Sequence, residues 1–256
     1  MNSFEFEETL DGLDLLSIRA ITDFMFEHYE SIGISDGGEK RIIKNIPSFP
    51  TPKFCPKSLN PENQFDYILL DAKGYTFWSQ IIYQLAHEMT HCIIHILSNV
   101  GTRSTPWIEE TICEAMSLYF LDYFATNWSR CSLSNFNAEY GSSIRTYLNN
   151  LLLNDGNCRL TQAKDQCELE DINCTAQVTE KRIDRKNEVQ NLYSVLKITD
   201  VIGLLRYREY MIDGSILLDT ERYRNDYFGN KAVAYLCGIQ ESIINREHYS
   251  SSKSAS

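Results

Sequence analysis

WSQIIYQLAHEMTHCIIHIL, Trp78–Leu97, is the stretch whose reading decides this chain. Ile81, Leu85, Met89, Cys92 and Ile96 recur at three- and four-residue intervals, which is the spacing of one helix face. Within it stands His87-Glu88-Met89-Thr90-His91, an HExxH sequence. Histidines four residues apart sit one helical turn apart on the same face, so both imidazoles reach one metal ion. Glu88 points to an adjacent part of the helix surface, where it meets a water on that metal. Zinc brings the pKa of its water towards ~7, and the carboxylate takes the proton and passes it to a leaving amine. Three histidines and one glutamate make the apolar part of this stretch too polar, and its length too short, to span a bilayer.

A catalytic zinc takes three protein ligands and keeps one open position. His95 is four residues beyond His91, but His87 to His95 spans ~12 Å along a straight helix, too far for one ion. No glycine stands between His91 and His95 to turn the chain back, so His95 reads as a structural histidine. The next helix supplies the better candidate. Thr105 is a good N-cap and Pro106 suits the first helical position, opening WIEETICEAMSLYFLDYF. Glu110 follows His91 after 18 intervening residues, and Glu114 lies one turn later on the same face. Glu110 completes a tetrahedron with two histidines, and Glu114 accepts the second N–H of a liganding imidazole. Glu109 reads as an exposed first-turn acid that complements the helix dipole.

HExxH, then 18 residues, then a glutamate in a Trp-x-x-Glu helix resembles the gluzincin metallopeptidases, as in their aminopeptidase N-like branch. The spacing of Glu110 and Glu114 is similar to the thermolysin pattern. The resemblance covers Trp78 to about Phe120, under a fifth of the chain. It implies a zincin-like α+β fold, with a small N-terminal mixed sheet packed on the HExxH helix and a mainly helical C-terminal lobe. It also implies zinc held by His87, His91 and Glu110, Glu88 as general base, and a peptide or protein as substrate. The Gly-x-Met-Glu-Asn signature of exopeptidases is missing, and Thr111 stands where that branch carries glycine. A second resemblance is to the short zinc peptidases that cleave phage-type repressors, which carry HExxH and an acid-rich helix at a different gap.

Outside this core, residues 10–33 carry apolar side chains at helical spacing, Gly37 and Gly38 mark a turn, and Arg41–Ile46 reads as a short strand. Pro47, Pro50, Pro52 and Pro56 mark an irregular segment, and Phe65–Leu70 (FDYILL) reads as a second strand whose edge can accept an extended peptide. Helices are expected near 138–153, 178–195, 199–210 and 230–245, while 154–176 is acidic and ambiguous. Strands first and helices after argue α+β. The expected division is an α/β lobe over 1–100, a helical lobe over 105–248 and a disordered serine-rich tail over 249–256. Gln84, one turn before the motif, is expected to face the cleft; Tyr193, Tyr227, Arg182 and Arg185 are candidates for stabilising an oxyanion.

The 256 residues carry 24 Lys plus Arg against 35 Asp plus Glu, a formal charge of −11. Nucleic acid and anionic membranes carry the same sign and are not expected partners. The acidic opening MNSFEFEETLDGLDLL lacks the basic and apolar regions of a secretory signal, so a cytoplasmic protein is expected. Cys92, Cys113 and Cys237 read as core residues, and Cys158, Cys167 and Cys174 form no CxxC pair, so all eight cysteines are expected as reduced thiols. No GxSxG, P-loop or GxGxxG is present. Two function classes remain: a zinc peptidase, general or confined to one protein target, and a zinc-bound interaction module without catalysis. The presence of Glu88 favours the first, because a structural site needs no base. The sequence leaves the oligomeric state open.

Overall fold

Strands β1 (Phe4–Phe6), β2 (Arg41–Asn45), β3 (Lys53–Cys55) and β4 (Asp66–Leu70) form one mixed sheet in the order β1-β2-β4-β3. This is a computed structural model that describes residues 3–6, 12–46, 51–59, 62–72, 74, 76–98, 104–153 and 157–254. β1, β2 and β4 run parallel, and β3 runs antiparallel to β4. Buried and half-buried residues alternate along β2 and β4 with period two. The register pairs Arg41 with Asp66, Ile43 with Ile68 and Asn45 with Leu70, so one face carries a continuous buried row. At one end of that row Arg41 and Asp66 form a buried ion pair, Nε to Oδ2 at 3.5 Å. At the other, Asn45 closes the strand end by donating to the Ala72 carbonyl and accepting from its N–H.

The expected strand at Phe65–Leu70 is present, but its expected free edge is not. β4 has β2 on one side and β3 on the other, so an extended peptide cannot pair with it. Among the described residues the edge next to β4 belongs to β3, which lay hidden in the proline-rich segment; Pro47 and Pro50 of that segment lie outside the described residues.

Two compact units divide the chain: residues 1–96 with 116–153, and residues 97–115 with 154–256. In the first, α1 (Gly12–Ser31) and α2 (Trp78–Leu97) accompany the sheet. α1 follows a tight turn-free course of buried Ile18, Ile21, Met25 and Tyr29, and ends before Gly33, which adopts φ +81°. The Tyr29 hydroxyl meets Thr90 Oγ1 of α2 at 3.1 Å. α2 is buried on most of its circumference. Its Cys92 lies beside the Arg41–Asp66 pair, so this part of α2 covers the buried face of the sheet. α3 (Pro106–Asn127) is one unbroken helix that begins in the second unit and, from Met116, belongs to the first. There Tyr119, Tyr123 and Phe124 pack on Phe24 and His28 of α1. α4 (Tyr140–Leu153) follows, with Tyr140 edge-on to Trp78 at 4.7 Å.

The second unit is helical. It holds α5 (Arg159–Gln162), α6 (Gln166–Thr175), α7 (Lys186–Val195), α8 (Val201–Leu205), α9 (Thr220–Asp226) and α10 (Lys231–Ser254). α10 is its strut and packs on α5, α7, α8 and α9. Its Gln240 clamps the Leu218 backbone through both amide atoms, at 2.6 and 2.8 Å. The ambiguous stretch after residue 157 forms α5 and α6, the latter capped by the Asp165 carboxylate accepting from Glu168 N–H. The single helix expected over 178–195 is a 3-10 segment, Thr179–Arg185, followed by α7. The architecture is therefore α+β with a small four-stranded sheet. No helix among the described residues is long and apolar enough to cross a membrane.

Candidate metal centre

Within α2 the i, i+4 spacing brings the two histidines of the motif together. Nε2 of His87 and Nε2 of His91 lie 3.3 Å apart, with ring centroids 5.0 Å apart and the planes at 64°. Two Zn–N bonds of ~2.0–2.1 Å at a tetrahedral angle place their nitrogens roughly 3.3–3.4 Å apart. The pair thus has the separation of two ligands on one tetrahedral ion. His87 is buried and His91 half-buried. Glu88 is buried on the same helix, and its charge reaches Cys55 of β3. Burial pushes the Cys55 thiol up, and the Glu88 carboxylate adds to that effect. β3 therefore borders the part of α2 that carries the motif. His95 packs its ring against Phe54 of β3, with centroids 5.8 Å apart.

Gln84 does not turn to a cleft. Its amide accepts from Asp71 N–H at 3.0 Å and donates to the Asp71 carbonyl at 3.2 Å, extending the hydrogen bonding of β4 by one residue. A primary amide copies the donor and acceptor of a peptide unit, so it pairs readily with a strand end.

The acids of α3 have distinct surroundings, all within the second unit. Glu109 is buried, which corrects its reading as an exposed first-turn acid. Arg208 donates to it from Nε and Nη2, at 3.0 and 2.9 Å, and the Tyr207 hydroxyl donates to the same carboxylate. Burial and the Glu109 charge together push the Tyr207 phenol well above its ordinary range. Glu114 pairs with Arg182 at 3.1 Å. Glu110 is buried in the same turn, and its charge, with that of Glu114, acts on Arg185. Trp107 anchors this end of the helix by donating from Nε1 to the Ile216 carbonyl at 3.1 Å.

Cys113, one turn beyond Glu110 on α3, joins the candidate donors. Its place in an otherwise apolar helix, between Ile112 and Glu114, reads as that of a plain core residue. The signal available was its i, i+3 relation to Glu110, which puts both on one face. Two imidazoles with a thiolate or a carboxylate form a donor set suited to zinc. Of the oxyanion candidates, Tyr227 belongs to an aromatic cluster with Tyr210 and Tyr223, at 5.9 and 5.8 Å. All eight cysteines are free thiols. No family model, curated protein or solved structure matches this chain.

Proposed function

We propose that this chain is a zinc-dependent peptidase with a zincin-like fold, related in its motif pattern to the gluzincins and working in the cytoplasm. The observation that carries the reading is the 3.3 Å between the Nε2 atoms of His87 and His91, on a helix that also holds a buried carboxylate at Glu88. His87, His91 and Glu110 would hold the metal, and Glu114, one turn beyond Glu110, would orient a liganding imidazole. Zinc supplies Lewis acidity, which brings the pKa of water towards ~7.

The chain's own groups do the rest. Glu88 takes the proton of the attacking water and returns it to the amine that leaves. Its burial keeps that proton from exchanging freely with solvent. An extended peptide adds to the sheet at the edge of β3, where main-chain hydrogen bonds hold it. The eight free thiols agree with a reducing compartment.

A second reading follows from Cys113. If its thiolate is the third ligand, the centre is a His2Cys set, and a metal-stabilised interaction module becomes the rival. A peptide library separates the two. The wild type cleaves, and Glu88→Gln, nearly isosteric but unable to take a proton, keeps zinc and fold while losing at least ~100-fold in turnover. Zinc bound at full stoichiometry with no cleavage of any library member favours the interaction module.

A further inference from the structure

Two buried arginines of the second unit differ in how their donors are met. Arg208 uses one edge of its guanidinium, Nε and Nη2, to grip both oxygens of Glu109. Arg185 is 1 % exposed, and on it the same two atoms, Nε and Nη2, have no hydrogen-bond partner among the described residues. Burial holds the Arg185 guanidinium below its ordinary range, while Glu110 and Glu114 pull it back up. These acids offset its charge without meeting Nε or Nη2. Glu114 engages Arg182 at 3.1 Å, and Asp184 engages Asn157 and Arg159 at 3.2 and 3.3 Å. A buried donor left unmet costs about 1–3 kcal/mol, and more when charged, so such a group calls for an explanation.

The unmet pair fixes the shape of its acceptor. Nε–H and Nη2–H point the same way, side by side, and suit two coplanar oxygens of one planar anion. A single carbonyl oxygen has to be shared between them, whereas two coplanar oxygens meet each with a bond of its own. With Glu110, Glu114 and Asp184 near, a singly charged anion is favoured over a dianion such as phosphate. Arg185 ends the 3-10 segment Thr179–Arg185, whose Ile183, two residues before it, is exposed.

We propose that Arg185 is a carboxylate-recognition residue, binding a ligand carboxylate side-on through Nε and Nη2. That the carboxylate arrives on a peptide rests on the peptidase reading. It is either the C-terminal carboxylate of the peptide or an acidic side chain.

Calorimetric titration of the purified full-length protein distinguishes the sources. The probes are N-acetyl-Gly-Gly-Leu, its C-terminal amide, N-acetyl-Gly-Glu-Leu amide and inorganic phosphate. At least one carboxylate-bearing peptide binds ~10-fold or more tightly than the neutral amide, since hydrogen bonds to charged groups contribute about 1.5–3 kcal/mol. A preference for the free terminus assigns the terminal carboxylate, and a preference for the glutamyl amide assigns the side chain. The preference disappears in Arg185→Met and shrinks in Arg185→Lys, which keeps the charge but loses the fork. Should Arg185→Met fail to fold, Arg185→Lys and the wild-type profile decide. Equal binding of acid and amide, a preference that survives both variants, phosphate binding as tight as the carboxylates, or no binding by any probe overturns the proposal. Binding is read without turnover, so a chain that fails as a peptidase can still pass this test, and one that cleaves peptides can still fail it.

Discussion

Arg208 and Glu109 form a buried side-on pair, Nε to Oε2 at 3.0 Å and Nη2 to Oε1 at 2.9 Å, between residues 99 positions apart. The pair fixes the first turn of α3 to the chain around residue 208 and gives Glu109 a structural partner. Removing one partner leaves a buried charge without compensation. Glu109→Ala therefore lowers stability by about 3–5 kcal/mol in denaturant unfolding. The double variant Glu109→Leu with Arg208→Met recovers part of that loss, because no lone charge remains. A Glu109→Ala protein within about 0.5 kcal/mol of wild type contradicts the pair's structural role.

His28 gives the fold an acid-sensitive element. Its Nε2 lies 2.7 Å from the Tyr119 hydroxyl and its ring packs on Tyr123 at 4.0 Å. Burial, with the Arg130 charge adding to it, lowers its pKa to about 4 from 6.5. The folded state thus refuses a proton that the unfolded chain accepts. The stability from neutral His28 is complete above about pH 6.5 and is lost as the pH falls through about 4. Allowing for solvent screening, roughly 1–2 kcal/mol disappears across that window. Urea melts of wild type and His28→Phe between pH 4 and 7 check this: the wild type carries the extra slope and the variant does not.

The thiols divide by environment. Cys92 is fully buried, and burial pushes it up to about 12, while Cys167 and Cys174 are exposed on α6. Thiolates react and thiols do not. A disulfide reagent at pH 8 therefore labels Cys167 and Cys174 quickly in the folded protein and Cys92 only after unfolding. Peptide mapping of the labelled protein identifies the sites, and early modification of Cys92 contradicts the packing of α2 on the sheet.

Long periodic segments were legible in the sequence. α2 occupies Trp78–Leu97 and α3 opens at Pro106 after Thr105, as spacing and capping residues suggest, and β2 and β4 lie where alternation places them. β1 and β3 were not read, because three residues are too few for a period-two signal. Pro52 and Pro56 beside β3 also pointed away from a strand, although an edge tolerates them. α6 escaped because it buries only Leu169 and Ile172. At the site, the His87–His91 proximity follows from helix geometry alone. The burial of Glu109 does not, since its partner Arg208 is remote in sequence and nothing local announces it.

The third ligand is decided by substitution. Glu110 has the spacing, and Cys113 offers a thiolate one turn beyond it on the same helix. With Glu110 as ligand, Glu110→Ala loses most zinc, and Cys113→Ser retains it. Glu114→Ala keeps zinc with affinity lower by roughly 10- to 100-fold, the usual result of losing support behind a ligand. Zinc titrations in which Cys113→Ser loses the metal and Glu110→Ala keeps it transfer the role to Cys113.

The central claim is that His87 and His91 hold one metal ion between them. Elemental analysis of the purified wild type, His87→Ala and His91→Ala, run side by side, tests it most directly. One zinc per chain in the wild type and almost none in either variant is the predicted result, because the remaining ligands hold the ion poorly. Full zinc stoichiometry in both variants, or a wild type that takes up no zinc when it is supplied, contradicts it.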